Sequence, residues 1–312
     1  MNNNQPSANL FLAFMNLTRL RIAGMELIAC SIGFILSYTG HFPLLRFFWT
    51  LIGTGLLSGG ACALNCYIER DLDALMPRTC RRPIPAGVIS PTYALIFGLS
   101  LVLSGCFLLI WQVNMLSGML GLTAAFVYLA IYTPSKRVTW LNTSIGAVPG
   151  AIPPLIGWAS ATGQIDPGGW CLFTMLFLWQ HTHFFPIAWL YRDDYQKAGF
   201  RMLPVLEIKG EKTFLLTIVA AVALLPISML LSGMGLAGSG SAYCFGSALL
   251  CVLLIAAGFR LSQLRSRPAA HAVLFLSLFY LPVILAAVIL DRYGMRIGSH
   301  FHDWLETIWR WT

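Results

Sequence analysis

Charge is scarce in this chain. Asp, Glu, Lys and Arg together make up 10% of its 312 residues, against roughly 25% in an ordinary soluble domain. No polar joint is long enough to hold a soluble domain, and there is no low-complexity tract and no convincing short repeat. A disordered or repeat architecture is therefore excluded. The eight cysteines fall mostly in apolar runs and include no C-x-x-C pair. That argues against a disulfide framework and leaves them as small polarisable core residues. The opening "MNNNQPSANL" carries no basic residue. It looks like neither a secretory signal peptide nor a mitochondrial transit peptide.

Apolar sequence is what the chain has in abundance. It is 57% hydrophobic with a mean hydropathy of +0.73. A bilayer-spanning helix takes roughly 20 apolar residues, and runs of that length recur throughout. They lie at about 22–39, 47–67, 92–111, 115–132, 143–160, 169–190, 213–232, 241–259 and 272–290. The expectation is an all-α integral membrane protein of about nine helices, forming one domain over residues 1–312. Its core covers about 15–290, and a short tail follows at 291–312.

The joints carry an orientation signal. With residues 1–21 placed inside and the spans alternating, all but four of the 20 basic residues fall inside. The four outside are Arg46, Arg292, Arg296 and Arg310. The positive-inside rule then gives a cytoplasmic N-terminus and an odd number of spans, with a bacterial inner membrane as the default. The net charge of +8 is mostly this topology signal. Its dispersal over separate segments is poor support for a nucleic-acid partner.

Against this background "NCYIERDLDALMPRTCRRPIPAG", residues 65–87, is dense with charge of both signs. Asn65, Glu69 and Asp73 recur every four residues. On a helix that spacing keeps them on one face, while Asp71 points nearly opposite Glu69. An amide and two carboxylates suit a hard divalent cation such as Mg²⁺, which completes its shell with waters and substrate phosphate. Pro77 marks the expected end of the helix. Arg78, Arg81 and Arg82 follow, and arginine suits bidentate phosphate contact. The other reading is an ordinary cytoplasmic loop whose acids and arginines pair at the headgroup level.

A second charged stretch, "WQHTHFFPIAWLYRDDYQKAGFRMLPV" at 179–205, reaches the same membrane face. It contains Asp193 and Asp194, followed by Lys197 and Arg201. Two acidic clusters on one face are what diphosphate chemistry uses to clamp a leaving group through metal ions. Between the two, "YTPSKRVTWLN" offers Lys136 and Arg137, either as phosphate contacts or as anchors of the flanking spans. His181 and His183 are two apart, so on a helix they diverge and cannot both meet one ligand atom.

These motifs resemble the UbiA superfamily of intramembrane prenyltransferases, and within it the haem O synthase (protohaem IX farnesyltransferase) branch. "NCYIERDLDALMPRT" is similar to the first acidic motif, N-x-x-x-D-x-x-x-D followed by M-x-R-T. "YTPSKRVTWLNTSIGAVPGAIPPLIGW" is similar to the middle signature, and the 179–205 stretch to the second acidic region. Glu69 stands where the pattern has aspartate, Thr182 and Arg201 where proline is common, and Ala198 lies four after Asp194 as in the haem branch.

The resemblance implies helices bundled around a central cavity open to the cytoplasm and to lipid. It implies Mg²⁺-dependent transfer of farnesyl from farnesyl diphosphate to the vinyl group of haem B, with addition of water, giving haem O. Residue by residue it makes Asn65, Glu69, Asp73 and Asp194 metal-binding and catalytic. It makes Arg78, Arg82, Lys136, Arg137, Asn142, His183, Arg192 and Tyr195 substrate-binding. Implied partners are the two substrates, the lipid bilayer, and downstream haem-modifying or terminal-oxidase assembly proteins. Tyr67, Tyr128, Tyr132, Trp158 and Trp179 are candidates, by depth, for stabilising an allylic cation through their ring faces. Two alternatives remain: the same chemistry on another acceptor, such as an aromatic quinone precursor, and a transporter. The second is disfavoured because the acids collect at one face rather than near the midplane.

Overall fold

The computed structural model describes residues 10–235 and 240–309, with side chains through Arg292. The N-terminal residues 1–9 and the side chains of Arg296, His300, His302 and Arg310 lie outside the described residues. The described chain is helical, as expected from its apolar runs: in lipid every backbone N–H and C=O must be satisfied within the segment.

Among the described residues, seven helical segments are long and apolar enough to cross a bilayer. They are α2 (Leu20–Ser37), α3 (Leu44–Ile68), α5 (Pro91–Leu108, extended by a wider turn to Val113), and α6 (Met115–Phe126, extended through Val127–Tyr132 into α7, Thr133–Val138). Near the C-terminus come α13 (Glu211–Gly233), α14 (Ser241–Leu264) and the first part of α15 (Arg267–Trp309). The other two expected spans are present in altered form. The run at 143–160 is two short helices, α8 (Asn142–Gly150) and α9 (Pro153–Thr162). The break follows from Pro153 and Pro154, which cannot donate to the preceding turn. The run at 169–190 is one helix, α10 (Pro167–Leu190), made more polar by Gln180, His181 and His183.

At one end of the bundle lie short elements: α1 (Leu10–Leu17), α4 (Arg70–Asp73), α11 (Arg192–Lys197) and α12 (Leu203–Leu206). This end carries most of the described charge. Successive long helices pack on one another, and α15 returns against α2, so the bundle closes on itself. Tight helix pairs use small residues, because lipid supplies no hydrophobic drive and close backbone approach must. A Cβ on Gly60 of α3 would lie 2.7 Å from the Val102 nitrogen of α5. One on Gly157 of α9 would strike the Cys30 carbonyl of α2. The C-terminal helices are locked separately: Asp291 accepts from the Ala242 and Tyr243 amides at the start of α14.

Candidate active site

α3 delivers the first acids. Its last regular residue is Ile68, and Glu69 bends the chain at φ −91°. The turn is continued by hydrogen bonds from the Glu69 amide to the Asn65 carbonyl and from the Asp73 amide to the Glu69 carbonyl. The one-face geometry therefore survives the bend. Asn65, Glu69 and Asp73 are all buried, whereas Asp71 is exposed and lies beside Arg70. Helix ends at Asp73 rather than near Pro77, and turns occupy 74–88.

These three groups face different partners. Glu69 Oε1 accepts from Lys136 Nζ at 2.7 Å, and both side chains are nearly inaccessible. Both oxygens of Asp73 accept from Arg82 Nη1, at 2.8 and 2.6 Å. Asn65 Oδ1 accepts from Arg19, while its amide nitrogen donates to Thr133 Oγ1. Arg19 holds this position from a left-handed backbone conformation, φ 49° and ψ 57°. Such a conformation costs an L-residue about 1–2 kcal/mol, and persists only where the surroundings enforce it.

Behind these residues lies a cavity of about 400 Å³. Its mouth carries Arg19, Glu69, Asp73, Arg78, Arg82, Lys136 and Tyr195. Its body is walled by Leu57, Ala61, Ala125, Ile156, Ile187 and Ala188, among others. A charged mouth leading to an apolar body suits an amphiphile with an anionic head.

Two loops close over the mouth. Arg78 donates to the Tyr195 hydroxyl at 3.4 Å and lies over the rings of Tyr191 and Tyr195. Below them Met76, Ala198, Phe200 and Met202 form a small buried cluster. Burial pushes the Tyr195 phenol up from its ordinary pKa, against the pull of Arg78, so it keeps its proton as a donor. The Arg201 amide donates to the Lys136 carbonyl, and the Asn142 amide nitrogen donates to the Arg201 carbonyl at 3.1 Å.

Of the residues the sequence singled out, Glu69, Asp73, Arg78, Arg82, Lys136, His183 and Tyr195 converge on the cavity. The others are not among its lining residues. Asn142 is buried but spends its amide joining two loops. Arg137 is exposed on α7. Arg192 lies over Trp189 and near Asp193, away from the cavity wall. Asn65 stands just behind the wall, its oxygen taken by Arg19. Asp194, on α11 after the turn at Tyr191, is not among the residues lining the cavity, whereas its neighbour Tyr195 is. Among the described residues no three His, Cys, Asp or Glu side chains form a ready-made metal cage.

The histidines separate as their spacing requires. His181 is committed on both sides, Nδ1 against the Phe177 carbonyl and Nε2 against Ser144. His183 lines the cavity, stacked on Trp179 with ring centroids 5.4 Å apart. Its Nδ1 meets Ser277 Oγ at 2.8 Å. The Ser277 hydroxyl also stands 2.8 Å from the Leu274 carbonyl, and a proton given there makes His183 Nδ1 the donor. Among the described residues Nε2 has no hydrogen-bond partner. Of the five aromatic candidates, only Tyr128 and Tyr132 line the cavity. The wider turn Val127–Tyr132 presents them as a stacked pair, and turns of this kind are frequent at functional sites.

Sequence reasoning missed Arg19, Glu26 and Ser58 on the cavity wall. Arg19 read as a topology signal. Glu26 had a visible signal, a lone carboxylate inside an apolar run, where ionisable side chains mark function by default.

Residues 27–279 match the model of the UbiA prenyltransferase family. The protoheme IX farnesyltransferase of Solibacter usitatus is 39% identical over 292 residues, covering 90% of this chain and 99% of that protein. That of Sorangium cellulosum is 44% identical over 247 residues, covering 77% and 85%. Among solved structures, a UbiA homolog from Aeropyrum pernix K1 superposes with a TM-score of 0.70 at 18% identity, covering 87% of this chain and 98% of that one. A UbiA homolog from Archaeoglobus fulgidus bound to GPP and Mg²⁺ gives 0.66 at 15% identity, covering 88% and 99%. With the family model matched over residues 27–279 and relatives at 39% and 44% identity over most of its length, this chain belongs to the UbiA prenyltransferase family.

Proposed function

We propose that this chain transfers the farnesyl group of farnesyl diphosphate to the vinyl group of haem B, with addition of water, releasing diphosphate and making haem O. The observation that carries the reading is the cavity's division into a charged mouth and an apolar body that holds one histidine with an unoccupied Nε2. The name borne by relatives at 39% and 44% identity points the same way.

The mouth fits Mg²⁺. Glu69 and Asp73 are hard oxygen donors, and a metal of this kind is ordinarily held by one or two carboxylates together with substrate phosphate. When bound, the ion would supply neutralisation of the charge that grows on the leaving diphosphate. Arg82 and Lys136 stand against those carboxylates, and Arg78 and Tyr195 stand beside them. These are the donors placed to take phosphate oxygens and stabilise the departing group. Asn65 and Arg19 act one layer behind, holding the α3 terminus in register with α2. The paired faces of Tyr128 and Tyr132 stand where an allylic cation would form. His183, held at Nδ1 by Ser277, is the group suited to meet haem iron through Nε2.

The whole chain acts as one membrane domain, with its charged end and N-terminus facing the cytoplasm of a bacterial inner membrane, as the distribution of basic residues directs. The product would pass to haem-modifying or oxidase-assembly proteins. The test is to incubate the purified protein in lipid nanodiscs with haem B, farnesyl diphosphate and Mg²⁺. Farnesylated haem should form with the ion and not with chelator. Absence of any haem product, with prenylation of a quinone precursor instead, would replace the acceptor.

A further inference from the structure

We infer that Glu26 and Ser58 hold the water that completes the reaction, and that the Glu26 carboxylate takes the proton this water gives up. The inference rests on the proposed haem farnesylation, in which a carbocation must be captured by water.

Glu26 lies on α2, two turns beyond Arg19, hence about 10 Å deeper into the bundle. Ser58 lies on the antiparallel α3, two turns before Asn65, the residue Arg19 grips. The pair therefore shares one level below the mouth. At that level Leu27 packs against Gly55, which brings the two helices together. Both side chains line the cavity. Ser58 is 8% exposed, and its hydroxyl has no partner apart from the neighbouring Glu26 side chain. Glu26 forms no ion pair among the described residues. A buried hydroxyl is normally bonded, and a carboxylate inside a membrane span is costly unless it has work or a partner. Two polar groups facing one space satisfy what a bound water requires, while Leu57, Ala61 and Ile156 keep the rest of the wall apolar.

The chemistry needs such a pair. As the bond from farnesyl C1 to the diphosphate oxygen breaks, the vinyl β-carbon bonds to C1 and the positive charge passes to the vinyl α-carbon. Water oxygen bonds to that carbon, and one water proton goes to the Glu26 carboxylate, which later returns it to solvent through the open mouth. Glu69 and Asp73 are unsuited to the task, because they lie at the diphosphate end with Lys136 and Arg82 already against them. Without a water held beside the cation, the departed diphosphate takes a proton from the adjacent carbon instead. The product is then a farnesylated haem one water lighter.

The experiment compares the parent with Glu26→Gln and Ser58→Ala in nanodiscs supplied with haem B, farnesyl diphosphate and Mg²⁺. It measures diphosphate release and the ratio of hydrated to dehydrated farnesyl-haem by mass spectrometry, in water enriched in ¹⁸O. The ratio is taken per molecule turned over, so loss of folded protein does not imitate the effect. Glu26→Gln should lower the hydrated share of the product by about 100-fold, the lower end of general-base effects. Ser58→Ala should lower it less. An unchanged ratio overturns the proposal. So does a loss of diphosphate release with haem O still the sole product, which would place Glu26 in the transfer step. A parent that makes no farnesyl-haem at all refutes the haem reading itself, before any variant is read.

Discussion

Asp73 and Asp71 are two residues apart and chemically identical, yet one is buried against Arg82 and the other lies in solvent. Asp73→Ala should lower turnover by about 100-fold or more, the scale of losing one charge-stabilising group, while Asp71→Ala stays near the parent. Steady-state rates on matched amounts of folded protein check this, and equal rates would remove Asp73 from the site. Glu69 bonds Lys136 through a side chain one methylene longer than the family's aspartate. Glu69→Asp should keep substantial activity and Glu69→Gln should lose most of it, because the charge, not the length, holds the cation and the ion. If the glutamine variant matches the aspartate one, the carboxylate is not a ligand. At His183 the expectation concerns binding. His183→Ala should weaken haem B affinity and leave that for farnesyl diphosphate with Mg²⁺ nearly intact, with Ser277→Ala giving a milder shift in the haem absorption spectrum. Titrating each ligand separately tests it, and parental haem binding by the alanine variant would make His183 a packing residue.

At the scale of the element, close helix approach sets stability. Gly157→Val should destabilise the bundle by about 1–3 kcal/mol, the usual range for overpacking, because its side chain would enter the Cys30 carbonyl of α2. A thermal melt in detergent measures it, and an unchanged midpoint would mean that α2 and α9 can separate freely. The helices themselves were largely legible, since a bilayer forces hydrophobic runs of defined length. The i, i+4, i+8 spacing of Asn65, Glu69 and Asp73 was legible for the same reason of periodicity. The bend at Glu69 was not, since it preserves the hydrogen bonds that define the period. Nor was the break between α10 and α11, where the turn at Tyr191 leaves Tyr195 as the residue lining the cavity. The loop-joining hydrogen bonds of Asn142 were not legible either, because sequence does not distinguish an amide that binds substrate from one that binds backbone.

For the whole molecule, the charged end is stitched from three loops, and the apolar body is walled by helices from both halves of the chain. The account's central claim is that this cavity joins a prenyl diphosphate at its mouth to haem B in its body. The most direct measurement is mass spectrometry of haem extracted from membranes of a haem O-free bacterial host expressing either the parent chain or Asp73→Ala. The account predicts farnesylated, hydrated haem with the parent and haem B alone with the variant. Haem B alone in both, with the parent well folded in the membrane, would contradict it.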